Sequence, residues 1–315
     1  MKVVALAGGV GAGKFLRGLV RVVPPEDVVV VVNTADDIEL HGLYIAPDID
    51  SVTYWLAGVS DRERGWGRAG ETFHTLEQIR ELGGEAWFTL GDLDLATHLV
   101  RTQLLSEGNP LSEATDRLRR AFGVSTRLLP MSDDPVRTWI SEVDDEGNEH
   151  YQPFQKYWVA HGGRCEVKEI RIEGAADARA GPGVLEAIAG AEAVIFCPSN
   201  PVVSIGPILQ VPGIGEAIEK RGGRAVGVSP IVGGAPVHGP ADRLMPAAGM
   251  EVTAMGAASP YRGLLDGWVI DDRDARLAPH IESELGMRIA VTDTIMTDDS
   301  AAERVARTAL DLVRA

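Results

Sequence analysis

Residues 1–14, MKVVALAGGVGAGK, decide the fold of this chain. A short apolar run, residues 3–7, is followed by four glycines within six residues, and helical spacing of apolar side chains begins near Lys14. This order predicts a strand, a glycine-rich turn and a helix. In open α/β sheets that arrangement brings backbone N–H groups and a helix N-terminus close to a phosphate. We therefore expect a phosphate site formed in part by Gly9, Gly11 and Lys14.

The glycine turn does not identify its ligand. From Gly8 to Lys14 the chain fits the G-x-x-x-x-G-K part of a P-loop, but the next residue is Phe15. A P-loop NTPase uses a Ser or Thr hydroxyl there to hold magnesium. The dinucleotide pattern G-x-G-x-x-G also fails, because it places Lys14 at its last glycine. A nucleotide hydrolase and a tight turn without a ligand stay open as alternatives.

Composition narrows the class of protein. The chain has 315 residues, of which 45% are hydrophobic and 24% charged, as expected of a soluble globular protein. The formal net charge of -16 argues against binding to nucleic acid, which requires a basic face. Cys165 and Cys197 are far apart in sequence, which fits a reducing compartment. With no apolar stretch long enough for a signal peptide or a membrane span, we expect a cytoplasmic protein.

Further strands predict an α/β architecture. The valine run 28–32 is typical of a strand buried on both faces of a parallel sheet. Between residues 136 and 176 the pattern alternates around an acidic turn at 144–148, which predicts an inserted β-hairpin. We predict a Rossmann-like, doubly wound, mostly parallel sheet. Residues 1–135 and 177–315 would form this core, and residues 136–176 would form a small inserted α+β lobe rich in strands.

Smaller elements can also be predicted. Asp50 is placed to cap a helix that runs through Val52, Trp55 and Leu56. A short strand or extended segment is expected at residues 87–90, and the hairpin's second strand at residues 151–159.

Pairs of aspartates occur where predicted strands end or helices begin. These pairs are Asp36 with Asp37, Asp48 with Asp50, Asp92 with Asp94, and Asp133 with Asp134. Each alone could be a turn or cap residue, but four pairs at one sheet edge would suit magnesium and would offer a general base. His98 and Arg101 share a helix face beside one pair, which favours a binding function for His98.

A further candidate is the segment 198–207, PSNPVVSIGP. Its hydroxyl and amide groups, Ser199, Asn200 and Ser204, could bind a phosphate or a nucleobase edge without formal charge. A rigid loop without a ligand is the alternative. No Ser-His-Asp or Cys-His spacing indicates a covalent nucleophile.

Taken together, the motifs resemble the CofD/FbiA family of 2-phospho-L-lactate (or phosphoenolpyruvate) transferases over nearly the whole chain. The motifs are, in order, Gly8-Gly9-Val10-Gly11 with Lys14, Asn33-Thr34-Ala35-Asp36-Asp37, Pro47-Asp48-Ile49-Asp50, Arg64-Gly65-Trp66-Gly67, Leu90-Gly91-Asp92 with Asp94-Leu95-Ala96-Thr97-His98, Met131-Ser132-Asp133-Asp134-Pro135, Pro198-Ser199-Asn200-Pro201 and Ser229-Pro230-Ile231.

The resemblance implies a step in the biosynthesis of the deazaflavin coenzyme F-420. The donor would be a guanosine diphosphate diester of lactate or enolpyruvate, and the acceptor the ribityl hydroxyl of Fo (7,8-didemethyl-8-hydroxy-5-deazariboflavin). GMP would leave, magnesium would be required, and a homodimer is expected. Asp50 and Thr89 occupy positions expected to contact Fo. Thr89 and Leu93 stand where the family often has basic residues.

Both lines of reasoning lead to one hypothesis. Gly9, Gly11 and Lys14, with Ser199, Asn200 and Ser204, would hold the guanosine diphosphate part. Magnesium would bind Asp37 and Asp50, Asp50 or Asp48 would act on the hydroxyl, and Fo would contact Asp50, Thr89 and His98. A nucleotide- or sugar-nucleotide-binding regulator is the alternative, and the choice between lactyl and enolpyruvyl donors stays open.

Overall fold

The computed structural model describes residues 1–143, 146–221 and 224–315. Within these ranges the chain forms fourteen strands and twelve α-helices, joined by short 3-10 and π turns. The strands are β1 Val3–Ala7, β2 Val28–Val32, β3 Ile38–Leu40, β4 Leu43–Ile45, β5 Arg127–Pro130, β6 Arg137–Val143, β7 Glu149–Pro153, β8 Glu166–Glu173, β9 Ala193–Phe196, β10 Arg224–Val228, β11 Ile231–Val232, β12 Ala235–Pro236, β13 Gly267–Ile270 and β14 Arg288–Val291. The helices are α1 Gly9–Val22, α2 Pro47–Ala57, α3 His74–Glu81, α4 Asp92–Ser106, α5 Leu111–Ala121, α6 Val184–Ala189, α7 Gly206–Gln210, α8 Ile214–Lys220, α9 Ala241–Ala247, α10 Ala254–Ala258, α11 Ala278–Leu285 and α12 Asp299–Arg314.

Seven parallel strands form the central sheet, in the order β14-β13-β10-β9-β1-β2-β5. From β1 the chain builds outward through β2 to β5, and it then returns to β9 and builds toward the opposite edge. Strands β1 and β9 therefore flank the topological switch point. Ligands of open α/β sheets bind in the crevice at the carboxyl ends of the strands at this point.

The sheet is covered on both faces. Alternate residues of β1 enter two different cores, with Val4 and Leu6 in one and Val3, Ala5 and Ala7 in the other. Each core contains helices packed against one face of the sheet, which is why the central strands are apolar throughout. The predicted Rossmann-like, doubly wound α/β fold is thus confirmed.

Helix α1 begins at Gly9, five residues earlier than the sequence predicted. Three of its glycines are explained by packing rather than by an open loop. A Cβ on Gly11 would lie 2.4 Å from the Pro198 carbonyl oxygen, and one on Gly13 would lie 2.5 Å from the Trp55 ring. On Gly18 it would lie 2.2 Å from the backbone of α12. The glycine-rich stretch is therefore the close-packed first turns of a helix.

Several predicted elements differ in detail. Helix α2 starts at Pro47, whose fixed φ suits the first helical position, so Asp50 lies inside the first turn and does not cap the helix. Residues 87–90 form no strand. The strand expected at 151–159 ends at Pro153, because Phe154 and Tyr157 instead pack from a helical turn into a small apolar cluster with Leu244.

The segment 136–176 contains a three-stranded antiparallel sheet in the order β7-β6-β8. Two residues of its predicted acidic turn, 144 and 145, lie outside the described part of the chain. The cluster of Ile140, Phe154 and Tyr157 with Val203 and Leu244 joins this small sheet to the loops above the central sheet. The segment is thereby placed beside the switch point.

In the described ranges, no single helix has the length and apolar composition needed to cross a membrane. Residues 201–210 and 214–220 meet the test only as a pair, bent by 81°. Ile208, Ile214 and Ile218 from this pair belong to the buried core.

Candidate functional site

A cavity of about 580 Å³ opens at the switch point between β1 and β9. Its floor is formed where these two strands end: the Gly8 amide donates to Ser199 Oγ at 3.3 Å, and Ser199 Oγ donates to the Gly8 carbonyl at 2.9 Å. All but one of the residues assigned from sequence line this cavity. These are Gly9, Gly11, Lys14, Asp48, Asp50, Thr89, His98, Ser199, Asn200 and Ser204.

The N-terminus of α1 faces the carboxylate of Asp48. The Asn33 side chain donates to Asp48 Oδ2 at 2.9 Å, and the backbone of Gly9 is a second donor to this carboxylate. A Cβ on Gly8 would lie 2.6 Å from Asp48 Oδ2, so glycine is required for this close approach. Burial raises the pKa of Asp48 to about 6, although both hydrogen bonds oppose the shift. The positive end of α1 thus stabilises an anion supplied by the chain itself.

Two basic side chains lie on the same side of the cavity. Lys14 is half-buried, with Nζ 5.6 Å from the centre of the Trp55 ring, and burial lowers its pKa. His238, from the loop after β12, has its pKa lowered first by burial and then by the charge of Lys14. Both line the cavity. The charge of Lys14 therefore favours the neutral imidazole of His238, and one ammonium with one neutral imidazole forms a suitable environment for an anion.

The four aspartate pairs serve different purposes. Asp92 is half-buried and accepts hydrogen bonds from the Thr72 hydroxyl and two backbone amides. Asp133 accepts from the backbone and hydroxyl of Ser112, and Asp134 forms an ion pair with Arg179. Asp92, Asp133 and Asp134 are therefore turn or cap residues, which is the alternative that the sequence left open. The members that line the cavity are Asp36, Asp48, Asp50 and Asp94.

Asp36 and Asp37 are buried beside Asp48. Burial, followed by the charge of Asp48, raises the pKa of Asp36 well above its ordinary value. Burial raises the pKa of Asp37 to about 8, against the opposing effects of Arg137 and of Tyr44, whose hydroxyl donates to Asp37 at 2.8 Å. Asp37 does not line the cavity and is only 1% exposed. This cluster of acids disfavours its own ionisation and so favours protons or cations.

Asp50 is held by Arg101, a fully buried residue of α4. Arg101 Nη1 donates to Asp50 Oδ2 at 3.0 Å, and Nη2 donates to Asp50 Oδ1. His98, one turn earlier on α4, places Nδ1 3.2 Å from Arg101 Nη1 and 3.5 Å from Asp50 Oδ2. The shared face of His98 and Arg101 predicted from sequence therefore points at Asp50.

Asp94 and Tyr54 extend this group of buried polar residues. The Tyr54 hydroxyl donates to Asp94 Oδ1 at 2.6 Å, and His98 Nε2 lies 3.8 Å from the same oxygen, too far for a hydrogen bond. Burial, followed by the charge of Asp50, raises the pKa of Asp94 to about 7. Burial lowers the pKa of His98 to about 4, so its imidazole is neutral near pH 7.

Sequence reasoning missed several cavity residues. His238 and Pro240 follow β12, and their position in a loop beyond the carboxyl end of β10 is a signal that could have identified them. Trp158 and Phe154 reach the cavity from the segment 136–176. Their contribution depends on how that segment packs, and no local pattern indicates it.

The carboxylates of the cavity differ in whether their oxygens are free to bind a metal ion. Among the described residues no three His, Cys, Asp or Glu side chains group as a metal site. Magnesium, however, commonly uses one or two carboxylates together with substrate phosphates. Asp36 Oδ1 and Asp37 Oδ1 are buried without a hydrogen-bond partner, which suits such a cation. Both oxygens of Asp50 already accept from Arg101, so Asp50 fits a metal poorly, and its assignment as a ligand stays a prediction.

The seven-stranded parallel sheet and the polar cleft at its switch point define an α/β protein of the Rossmann-like class. The sequence model of the family described as 2-phospho-L-lactate transferase CofD matches residues 3–307. The chain therefore belongs to the CofD family, which confirms the resemblance found in its motifs and the prediction that it is a transferase.

Relatives of known name support the same family. A phosphoenolpyruvate transferase of Streptomyces griseus is 48% identical over 314 residues, covering 99% of this chain and 98% of that protein. A 2-phospho-L-lactate transferase of Methanosarcina mazei is 42% identical over 303 residues, covering 96% of this chain and 97% of that protein. A crystal structure of a upf0052 family member from Bacillus halodurans has a TM-score of 0.65 at 18% identity, covering 98% of both chains, which shows a shared fold.

Proposed function

We propose that this enzyme transfers a phosphoenolpyruvyl or 2-phospholactyl group from a guanosine diphosphate diester to the ribityl hydroxyl of Fo, releasing GMP. The observation that carries the proposal is the composition of the single cleft at the switch point. Its lining contains both the loops assigned to the nucleotide and the residues assigned to Fo, which are Asp50, Thr89 and His98. Asp48, in the first turn of α2, accepts a hydrogen bond from the backbone of Gly9 at the start of α1 and also lines the cleft.

For the donor, we propose contacts from Lys14, Ser199, Asn200 and Ser204, with the neutral imidazole of His238 as an additional hydrogen-bonding group. Their support is a shared cavity and the absence of a carboxylate partner on Lys14 among the described residues. Of six relatives named phosphoenolpyruvate transferase, four are 47–49% identical to the chain and the others are 42% and 39% identical, whereas two named 2-phospho-L-lactate transferase are 42% identical. The enolpyruvyl donor is therefore the first to test.

For the chemistry, we propose that the hydroxyl oxygen of Fo attacks the β-phosphorus in line. The bond between this phosphorus and the bridging oxygen of GMP breaks, and GMP leaves with the electron pair. Asp48 accepts the hydroxyl proton, because a pKa of about 6 leaves it ionised at pH 7 while keeping it a useful base. Asp50 orients the hydroxyl-bearing chain as a hydrogen-bond acceptor.

Magnesium is part of the proposal. When bound, it would neutralise charge on the diphosphate oxygens. Of the two ligands predicted from sequence, Asp37 has an unpartnered oxygen but does not line the cavity, whereas its neighbour Asp36 has an unpartnered oxygen and does line it. We further propose that the enzyme acts in the cytoplasm as a homodimer on small-molecule substrates, consistent with the net charge of -16.

The test is to incubate the protein with Fo, magnesium and each donor, and to look for the phosphodiester product and GMP by mass spectrometry. Asp50→Asn should lower transfer strongly. Alanine is a poorer choice here, because it would leave the buried guanidinium of Arg101 unpaired at a cost of about 3–5 kcal/mol.

Two outcomes would overturn the proposal. Tight binding of nucleotide without turnover of any donor would favour a regulator. Hydrolysis of GTP without Fo would favour a nucleotide hydrolase, although Phe15 is fully buried in the core and cannot reach a bound metal.

A further inference from the structure

We infer that Arg101 is a positioning residue that fixes both Asp50 and His98 for the acceptor, so that Asp50 works as an oriented hydrogen-bond acceptor and not as a metal ligand. This inference rests on the proposed function of the cleft. Arg101 is 0% exposed and does not line the cavity, so it acts only through other residues. Asp50 and His98 do line it.

The geometry of the pair requires a guanidinium. Nη1 and Nη2 of Arg101 each donate to a different oxygen of Asp50, which fixes the plane of the carboxylate as well as its position. Each carboxylate oxygen keeps a further lone pair, so Asp50 can still accept a hydrogen bond from a hydroxyl in the cavity. A lysine ammonium is a single compact charge and cannot hold both oxygens in one plane.

The same guanidinium determines the tautomer of His98. Arg101 has no acceptor atom, so the 3.2 Å contact between Nη1 and His98 Nδ1 makes Nδ1 the acceptor. The proton of the neutral ring must then be on Nε2. That atom is buried without a hydrogen-bond partner among the described residues, in a side chain that lines the cavity. His98 therefore offers a donor to the acceptor substrate, next to the acceptor offered by Asp50.

Arg101 also competes with any metal for Asp50. A cation bound to either oxygen would have to displace a charge-assisted hydrogen bond from a buried guanidinium, which would then be left unpaired. The unpartnered carboxylate oxygens of the site are on Asp36 and Asp37 instead. The structure thus separates an acceptor-binding group, Asp50 with His98, from the acidic pair at 36–37.

The inference is tested by calorimetric titration of Fo into the wild-type enzyme, Arg101→Lys, Asp50→Asn and the double variant. Arg101→Lys should weaken Fo binding and lower kcat/KM for Fo, by up to about 100-fold where the reacting hydroxyl is displaced by about 1 Å. KM for the guanosine donor should be unchanged. Because Arg101 acts through Asp50, adding Arg101→Lys to Asp50→Asn should weaken Fo binding little further.

Arg119 supplies the matched control. It is also a buried arginine on a helix, with Nε 2.7 Å from Asp116 Oδ1, and it does not line the cavity. Arg119→Lys should bind Fo as the wild type does. Should Arg101→Lys not fold, the pair Asp50→Asn with Arg101→Gln removes both buried charges together, and it should bind Fo as weakly as Asp50→Asn alone.

Three results would overturn the inference. The first is an unchanged Fo affinity in folded Arg101→Lys. The second is a double variant whose loss of Fo affinity equals the product of the losses in the two single variants. The third is loss of Mn²⁺ binding in Asp50→Asn, where Mn²⁺ is a spectroscopic substitute for magnesium. Retained Mn²⁺ binding in that variant supports the inference. If the wild type neither binds Fo nor transfers to it, the proposed function fails instead, which is a different outcome.

Discussion

Replacing Gly18 with alanine tests the close contact between α1 and the backbone of α12. The added Cβ would lie 2.2–2.6 Å from the backbone of Ala302 and Glu303 in α12, where ordinary contacts begin at 3.4 Å. Alanine gains about 1 kcal/mol in helix propensity over glycine. Overpacking costs about 1–3 kcal/mol, and backbone atoms that cannot rotate away put this site at or above the upper end. We expect a net destabilisation of about 2 kcal/mol.

Thermal unfolding measures this effect, with Gly215→Ala as the matched control. No atom outside its own segment lies within 4 Å of a Cβ built on Gly215, which lies in α8. The control should therefore be stabilised by about 0.5–1 kcal/mol. At about 2–4 °C per kcal/mol, Gly18→Ala should lower Tm by about 4 °C or more, while the control raises it slightly. A Gly18→Ala protein as stable as the wild type would refute the close α1–α12 contact.

Two further predictions concern the cleft. The pKa of Asp94, raised to about 7 by burial and by Asp50, lies above its value of 3.8 in an unfolded chain, so the folded state binds this proton more tightly. Its contribution to the free energy of unfolding should therefore fall as pH rises from about 4 to about 7. Asp94→Asn should reduce the difference between the Tm at about pH 5 and the Tm at about pH 8. A difference in Tm as large as that of the wild type would contradict this prediction. His238→Ala should raise KM for the guanosine donor about tenfold and leave KM for Fo unaltered, in steady-state kinetics with each substrate varied in turn. An equal rise in KM for the donor and KM for Fo would show that His238 does not act on the donor alone.

The fold class could be predicted because its signals are local. Two of these signals are the valine run of β2 and the strand-glycine-helix order at the N-terminus. Each occupies a few adjacent residues, and each indicates a strand that is buried between two layers of helices. The polar residues after the strands could be assigned to a ligand site for a similar reason. The carboxyl ends of parallel strands meet at one edge.

The internal arrangement of the site could not be predicted. Asp48 and the N-terminus of α1 are separated by about forty residues, and Asp50 and Arg101 by fifty-one, so no local pattern reports their contact. The four aspartate pairs looked alike in sequence. Only the packing of α4 and α5 shows that Asp92 and Asp133 satisfy backbone donors, whereas Asp48 and Asp50 face the cavity.

The packing of helix α1 also determines when the site can form during synthesis of the chain. Its glycines make it a weak helix by itself, and its close contacts come from Trp55, from Pro198 and from α12 near residue 302. During synthesis, α1 leaves the ribosome before Trp55 and Pro198, and α12 is the last of the described helices to do so. The contact between α1 and α12 therefore cannot form until α12 has been made, and residues 294–297 of the cavity lining are made only shortly before it. Substrate binding should begin only after α12 has been made.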